Sequence, residues 1–599
     1  MNIFVDFWQQ HFPILSILVP AITGFILILL GNPGAGTLKT DWRQPLRHLI
    51  SLSSTILGFI LAVMMLIFAN SGQIQHYELS EWSAPFGIVL VVDRLSALMV
   101  MLTYILAVPV LWYASAEWDQ RGRYFHAMSH FLLMGMCGAF LTGDLFNLFV
   151  FFEILLMASY VLLLHGHSKS RFTMGVHYVI INLLASSFFL IGLGLIYANV
   201  GSLNMADVAR LFPNLDDSQH QMALAGSMLL LVVFAIKAAI FPVGFWLPKT
   251  YAVAATPVAA IFALMTKVGI YAILRVNGTV FSDPEGQRLF EQWLLILGVI
   301  TSIYGVIGAI GAERLRRMIG FMIISSLGTI LIGISLFTQQ TWAAALYYLV
   351  HSTLIAACFY LLAEWITVQR GTFKDHLKLA PVVKQQRLLS LLYLLIALIM
   401  AGLPPFSGFL GKVLLLQGTG YHAQQIWIIL AILLVSLLSI LAFVRNGFIL
   451  FWRATPAENN PEDETFAQYQ TLPDQPTARA NHVIYVFLAT LILYAVCADP
   501  VYRYTYATAE QLMDKTLYQQ TILKTDATQN VISVQPFDSN YLPELKYGAT
   551  SDDPYQQYIP YIISPKTLQG EHIPEEKLKK IAEQHAASPD QDAKLVPAE

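Results

Sequence analysis

The sequence predicts an all-α polytopic membrane protein of about fourteen spans, with two inverted five-helix repeats and breaks in the seventh and twelfth helices. Three observations carry that expectation. The 599 residues are 56% hydrophobic and only 12% charged, where a soluble chain carries about 25% charged residues. Apolar runs of membrane-crossing length recur along the chain. Two of them are interrupted by proline and glycine: "AIKAAIFPVGFWLPKTY", with Pro242 and Pro248, and "AGLPPFSGFLGKVLL", with Pro404, Pro405, Gly408 and Gly411.

In chain order the expected spans lie near 13–31, 49–69, 88–113, 126–143, 145–165, 174–198, 223–246, 256–276, 292–311, 318–337, 343–365, 388–417, 425–449 and 482–498. The first lacks a basic flank and a small-residue cleavage site, so it reads as a retained span. Short loops after odd-numbered spans hold the basic residues: Lys39, Arg43 and Arg47; Arg121 and Arg123; Lys169 and Arg171; Arg314, Arg316 and Arg317. The 366–387 connection is the most basic of all, whereas "SGQIQHYELSEWSAP" has no Lys or Arg. Positive charge marks the cytoplasmic side, so both termini are expected outside, in a bacterial inner membrane. The expected divisions are residues 1–125 (spans 1–3), 126–276 (first repeat), 292–449 (second repeat), 450–499 (a cytoplasmic loop and the last span) and 500–599 (a polar non-cytoplasmic tail). That tail carries nine basic and fourteen acidic residues. Its Tyr-Pro clusters (Tyr541, Pro543, Tyr555, Tyr558, Pro560, Tyr561) suggest packing, and "EEKLKKIAEQHA" a short surface helix.

The broken spans have a physical meaning. Proline removes a backbone hydrogen bond and clashes with the preceding turn, and the freed carbonyls are tolerated in a membrane only inside protein or beside a wet cavity. The two breaks lie five spans apart, so the equivalent helices cross in opposite directions, as in inverted-repeat transporters.

Ionisable residues at depth mark the candidate site: Glu153, Lys237, Lys267, His351 and Lys412. Each charge at a helix centre costs about 2.5–3.5 kcal/mol on the insertion scale, so these groups are expected to face the bundle interior. A static ion pair accounts for Glu153 with one lysine but leaves the remaining lysines unexplained. A buried lysine has a proton affinity that a movable carboxylate can set, so the set reads as a proton relay. Lys249, Lys169 and Arg445 sit near span ends, where snorkelling or the topology signal explains them. Asp144 reads as a helix cap. Cys137, Cys358 and Cys497 stand alone in apolar runs, without CxxC spacing or a disulfide framework.

"FLTGDLFNLFVFFEILLMASYVLLL", "KAAIFPVGFWLPKTYAVAATPVAAIFALMTKVGIYAILR" and "GLPPFSGFLGK" closely resemble the antiporter-like subunits shared by respiratory complex I, membrane hydrogenases and Mrp-type cation/proton antiporters. The "LTGDxFNLFVFFE" form resembles the D subunit of Mrp-type (Mnh or Pha) antiporters. The resemblance covers residues 85–450. It implies an ion pair of Glu153 with Lys237, Lys267 as central relay, and His351 with Lys412 as the second half of a proton path. "VVDRLSALM" (Asp93, Leu95, Ser96), "RLRRMIGFMIISSLG" and the long basic 366–387 connection fit as well.

Three positions depart from the family pattern. Gly244 stands where many relatives have histidine, Lys249 where they have an acidic residue, and Ala356 where they often have lysine. The last leaves water, Ser352, Thr353 or Ser325 to bridge the second half. The expected function is proton translocation within a multi-subunit secondary antiporter exchanging protons for Na+ or K+, driven by the proton-motive force. A proton-pumping subunit of a redox-driven complex is the main alternative, and a packing scaffold with static charges a further one. The expected partners are other membrane subunits, protons, monovalent cations and the bilayer, with no nucleic acid. The sequence shows no catalytic nucleophile, nucleotide-binding glycine loop or metal cluster, so no enzyme activity, cofactor or metal is expected.

Overall fold

The computed structural model describes residues 2–31, 43–281, 283–380, 383–420, 422–452, 473–474, 476–477 and 479–524, with no side-chain description for residues 2–9 and 285. Two units divide the chain: Met1–Leu79 with Ser83–Leu523, and Ser80–Trp82 with Lys524–Glu599. Every element below belongs to the first unit. The Tyr-Pro clusters and "EEKLKKIAEQHA" lie outside the described residues.

The chain is a multi-pass, all-helical membrane protein. Its helices are α1 (Asn2–Leu29), α2 (Gln44–Asn70), α3 (Arg94–Ala114), α4 (Phe125–Leu141), α5 (Leu145–Leu164), α6 (Lys169–Val200), α7 (Met205–Leu211), α8 (Asp217–Lys237), α9 (Leu247–Val253), α10 (Thr256–Ala272), α11 (Pro284–Ile310), α12 (Leu315–Ser335), α13 (Gln339–Gln369), α14 (Gln386–Ala401), α15 (Ser407–Gly418), α16 (Gln425–Gly447), α17 (Ala480–Val496), α18 (Ala498–Met513) and α19 (Lys515–Leu523). Among the described residues eleven helices are long and apolar enough to cross a membrane, or twelve if α17 and α18, bent by 76°, count as one span. Each of the fourteen expected segments contains a helix, but α4 and α14 are shorter than a full span and α8/α9 and α14/α15 are split.

Two boundaries differ from expectation. The third segment begins as a strand, Val89–Val92, paired antiparallel with Gln75–Glu78. Its β-branched run favours extended backbone. Asp93 then starts α3 as a capping box, with its carboxylate accepting from Ser96 N at 2.8 Å and Ser96 Oγ accepting from Asp93 N at 2.9 Å. At the other end, the polar stretch after α17 is helical. α18 packs along α13, burying Thr505, Thr508, Ala509 and Leu512. Gln511 accepts from Arg94 N at 2.9 Å, and Tyr504 OH donates to Arg94 O at 2.9 Å. On that side Arg275 and Asp93 form a buried ion pair at 2.5 Å, with the Tyr518 ring over the guanidinium at 5.5 Å.

α10 and α13 form the centre. The membrane-spanning windows of both are wholly buried, α13 against α10, α12, α14, α15, α17 and α18. Leucines on α6 and α16, and Ile296, Ile300 and Ile307 on α11, face outward, as apolar side chains on lipid-facing helices do.

Candidate functional site

The first cluster is built by α5, α6 and α8 where α8 breaks. Lys237 is the last residue of α8. Ala238 N donates to Phe234 O at 2.7 Å and Ile240 N to Ala235 O at 2.9 Å, while Ala239 takes a left-handed φ of 55°. Pro242 has no N–H to continue a helix. Phe241 N instead donates to Thr301 Oγ1 on α11 at 3.0 Å, so the break is satisfied from the second half of the chain.

Lys237 is buried, and its Nζ donates to Asn182 Oδ1 at 3.2 Å, with the Phe152 ring 5.9 Å away. Half-buried Glu153 accepts a hydrogen bond from Ser186 Oγ. The structure therefore brings Glu153 and Lys237 to one cluster without a direct ion pair between them. Asn182 and Ser186 stand between, four residues apart on one face of α6. Ser186 Oγ also lies 3.0 Å from Asn182 O, and Asn182 Nδ2 donates to Tyr178 O at 2.8 Å.

The second cluster is central. Lys267 is fully buried on α10, and its Nζ has no protein acceptor among the described residues. His351, on α13, lies within electrostatic reach of both Lys267 and Lys412. Its Nδ1 is 2.9 Å from Ser407 Oγ, the first residue of α15. Lys412 Nζ donates to Ala401 O at 2.8 Å and Ser436 Oγ at 3.0 Å. Ala401 ends α14, so its carbonyl is one that the break frees from helix bonding. His351 and Lys412 line one polar cavity with Ser325, Ser326, Ser352 and Ser439. Two of the expected bridging side chains, Ser325 and Ser352, are in it. Thr353 turns its hydroxyl to Leu349 O at 2.8 Å on its own helix.

The residues set aside as topological or structural behave as local chemistry dictates. Asp144 caps α5, accepting from Asn147 N at 2.7 Å. Lys169, Lys249 and Arg445 are exposed. All three cysteines are free.

Comparison with known proteins gives this arrangement a family. The model for the transmembrane domain of NADH:quinone oxidoreductases and Mrp antiporters matches residues 142–439. A protein of Rhizobium meliloti, named as the probable D subunit of a K(+)/H(+) antiporter, is 36% identical over 551 residues, which is 86% of this chain and 98% of the relative. The D subunit of the Na(+)/H(+) antiporter of Alkalihalophilus pseudofirmus is 34% identical over 521 residues, covering 86% of this chain and all of the relative. A chain of the Mrp complex from Dietzia superposes with a TM-score of 0.74 at 26% identity, covering 86% of this chain and 99% of that one. The chain belongs to the D-subunit family of Mrp-type antiporters. A chain of respiratory complex I from Thermus thermophilus shares the fold, with a TM-score of 0.66 at 20% identity, over 84% of this chain and 99% of that one.

Within the Mrp D-subunit family, one of the departures noted in the sequence, Gly244, has a structural explanation. A Cβ on Gly244 would stand 2.1 Å from Ala239 O, so this turn has no room for a histidine. Ala356 is fully buried in α13. Sequence reasoning missed Asn182, Ser186, Ser407 and Ser436, each of which touches an ionisable residue named above. It also missed Glu364 near the end of α13, which accepts from Thr256 Oγ1 at 2.8 Å and lies 4.0 Å from Arg316. Hydroxyl and amide spacing on α6 was the available signal for the first two.

Proposed function

We propose that this chain carries proton translocation in a multi-subunit antiporter that exchanges protons for Na+ or K+ across the bacterial inner membrane, driven by the proton-motive force. The observation that carries the proposal is the series of buried lysines, Lys237, Lys267 and Lys412, two of them at helix breaks and one without a protein acceptor among the described residues. A scaffold needs each buried charge satisfied. A relay needs sites that hold a proton loosely, and Lys267 fits that need. In this reading Glu153 sets the charge at Lys237 through Asn182 and Ser186, and the proton passes by Lys267 and His351 to Lys412 through the serine-lined cavity. The fourteen segments are then fourteen spans, with the fourth to eighth and ninth to thirteenth as inverted repeats and both termini non-cytoplasmic. Other membrane subunits complete the antiporter, and the chain is a transporter component rather than an enzyme.

The test is cation-dependent pH change in vesicles holding the assembled complex. Lys267→Ala and Lys267→Arg should both assemble and fail to exchange, because arginine stays protonated at any accessible pH. Near-normal exchange by Lys267→Arg excludes proton carriage at that position.

A further inference from the structure

Away from the lysines, a second buried polar cluster joins the N-terminal ends of α2 and α4 with the short turn between α3 and α4. Its members are His48 on α2, Asp119 in the Trp118–Arg121 turn and His126 on α4. One potential ligand atom from each of the three lies within 4.8 Å of the other two. Asp119 Oδ2 is 2.7 Å from His48 Nε2 and 3.8 Å from His126 Nε2, with Asp119 and His126 buried and His48 partly exposed.

Hydrogen bonding leaves this cluster incomplete. His126 Nε2 and Asp119 Oδ1 are buried, and neither has a hydrogen-bond partner among the described residues. The other ring nitrogen of His126, Nδ1, is 2.9 Å from Ser51 Oγ, and that hydroxyl is 3.0 Å from His130 Nε2. If Nδ1–H donates to Ser51, the hydroxyl donates on to His130. His126 then presents a bare Nε2 lone pair to the cluster. An outer partner on the second nitrogen is how proteins fix the tautomer and ring plane of a metal-binding histidine.

We propose that His48, Asp119 and His126 form a site for one divalent transition-metal ion of the Zn2+ class, held by two imidazoles and one carboxylate with a further coordination position open. Ligand bonds of about 2.0–2.1 Å in a tetrahedral shell put neighbouring donor atoms about 3.3 Å apart. The two separations from Asp119, 2.7 and 3.8 Å, bracket that value, and the set as a whole lies within 4.8 Å, so side-chain shifts on the order of an ångström close the shell. The ion takes the place of the hydrogen between His48 Nε2 and Asp119 Oδ2, and a neutral His48 ring then carries its proton on Nδ1. Arg47, whose guanidinium donates to Gly31 O at 3.1 Å, and His165 are the cationic or potentially cationic groups acting on His126. Neither contributes a donor atom to the shell. Bound metal pins the α3–α4 turn to α2, tying three segments that are otherwise joined there by hydrogen bonds.

The experiment uses the whole assembled complex in detergent, stripped with a chelator and then loaded with Zn2+ or, as a spectroscopic probe, Co2+. Wild type should hold one more equivalent of tight metal than the variants His48→Gln and Asp119→Asn, and its Co2+ form should show ligand-field bands of a low-coordinate imidazole–carboxylate site. Ser51→Ala should keep those bands in shifted form and bind about 10–100-fold more weakly. His48 is the partly exposed ligand, so His48→Gln is the variant that disturbs folding least. Equal metal content in wild type and His48→Gln, or a Co2+ spectrum of the hydrated ion alone, overturns the site.

Discussion

Asn182→Ala removes the side chain that accepts from Lys237 Nζ at 3.2 Å. A hydrogen bond to a charged group contributes about 1.5–3 kcal/mol. At about 1.4 kcal/mol per factor of ten, that is roughly a ten- to hundredfold change in the ratio of protonated to neutral Lys237. The Phe152 ring, 5.9 Å from Nζ, is at the outer edge of cation–π reach and does not make up the difference. Exchange by the assembled complex should therefore fall by about ten- to hundredfold. Asn182→Asp is the informative counterpart. It sets a carboxylate where the amide stands, and opposite charges about 4 Å apart attract by about 4 kcal/mol at the effective dielectric of a partly screened site. Lys237 then holds its proton too firmly to pass it on. This variant should also stop exchange while assembling normally. The assay is antiport rate per assembled complex in vesicles. A static charge pair predicts that Asn182→Asp leaves the rate unchanged, and that result would refute a mobile proton at Lys237.

Three further outcomes test other parts of the structure. Gly408→Ala brings a Cβ to 2.5 Å from Ile399 O and 2.7 Å from His351 Nε2. It should cost about 1–3 kcal/mol as overpacking, read as a lower melting temperature of the complex with a loss of exchange beyond any loss of protein. Asp93→Asn and Arg275→Met should each destabilise by about 3–5 kcal/mol as a stranded buried charge, and the double variant should recover much of that. Strict additivity in the thermal unfolding cycle would refute a coupled pair. Finally, a cysteine replacing exposed Gln520 on α19 should react with an impermeant thiol reagent in intact cells, and labelling only after lysis would overturn the outward orientation.

The five ionisable residues were legible because a charge in an apolar run is expensive and therefore conspicuous. Proline made the breaks legible in the same way. Asn182, Ser186, Ser407 and Ser436 were not, because neutral polar side chains inside a span add little insertion cost and can bond their own helix. Ser436 does so, donating to Ile432 O at 2.8 Å. The interposition of α6 between Glu153 and Lys237 follows from three-dimensional packing that no single span encodes. His48, Asp119 and His126 escaped for a different reason. They come from three segments, each near a helix end where polar residues are ordinary, so no short spacing joins them. The bend at Cys497 was hidden because α18 is polar enough to read as loop, and even its buried side carries Thr505, Thr508 and Gln511 beside Ala509 and Leu512.

The complete burial of α10 bears on how the chain can be divided. On one side this helix packs on α3, α4 and α8, and on the other on α12 and α13, so its sheath is drawn from residues both before and after it. A chain ending after α10 would present Lys267 to hydrocarbon with its later neighbours missing. The segments before and after α10 are thus not separable modules. Circular permutation or a split at 281–283, just past the helical extension of α10 to Val280, would leave α10 stranded on one fragment, and the fragments would hold it correctly only after meeting in the membrane.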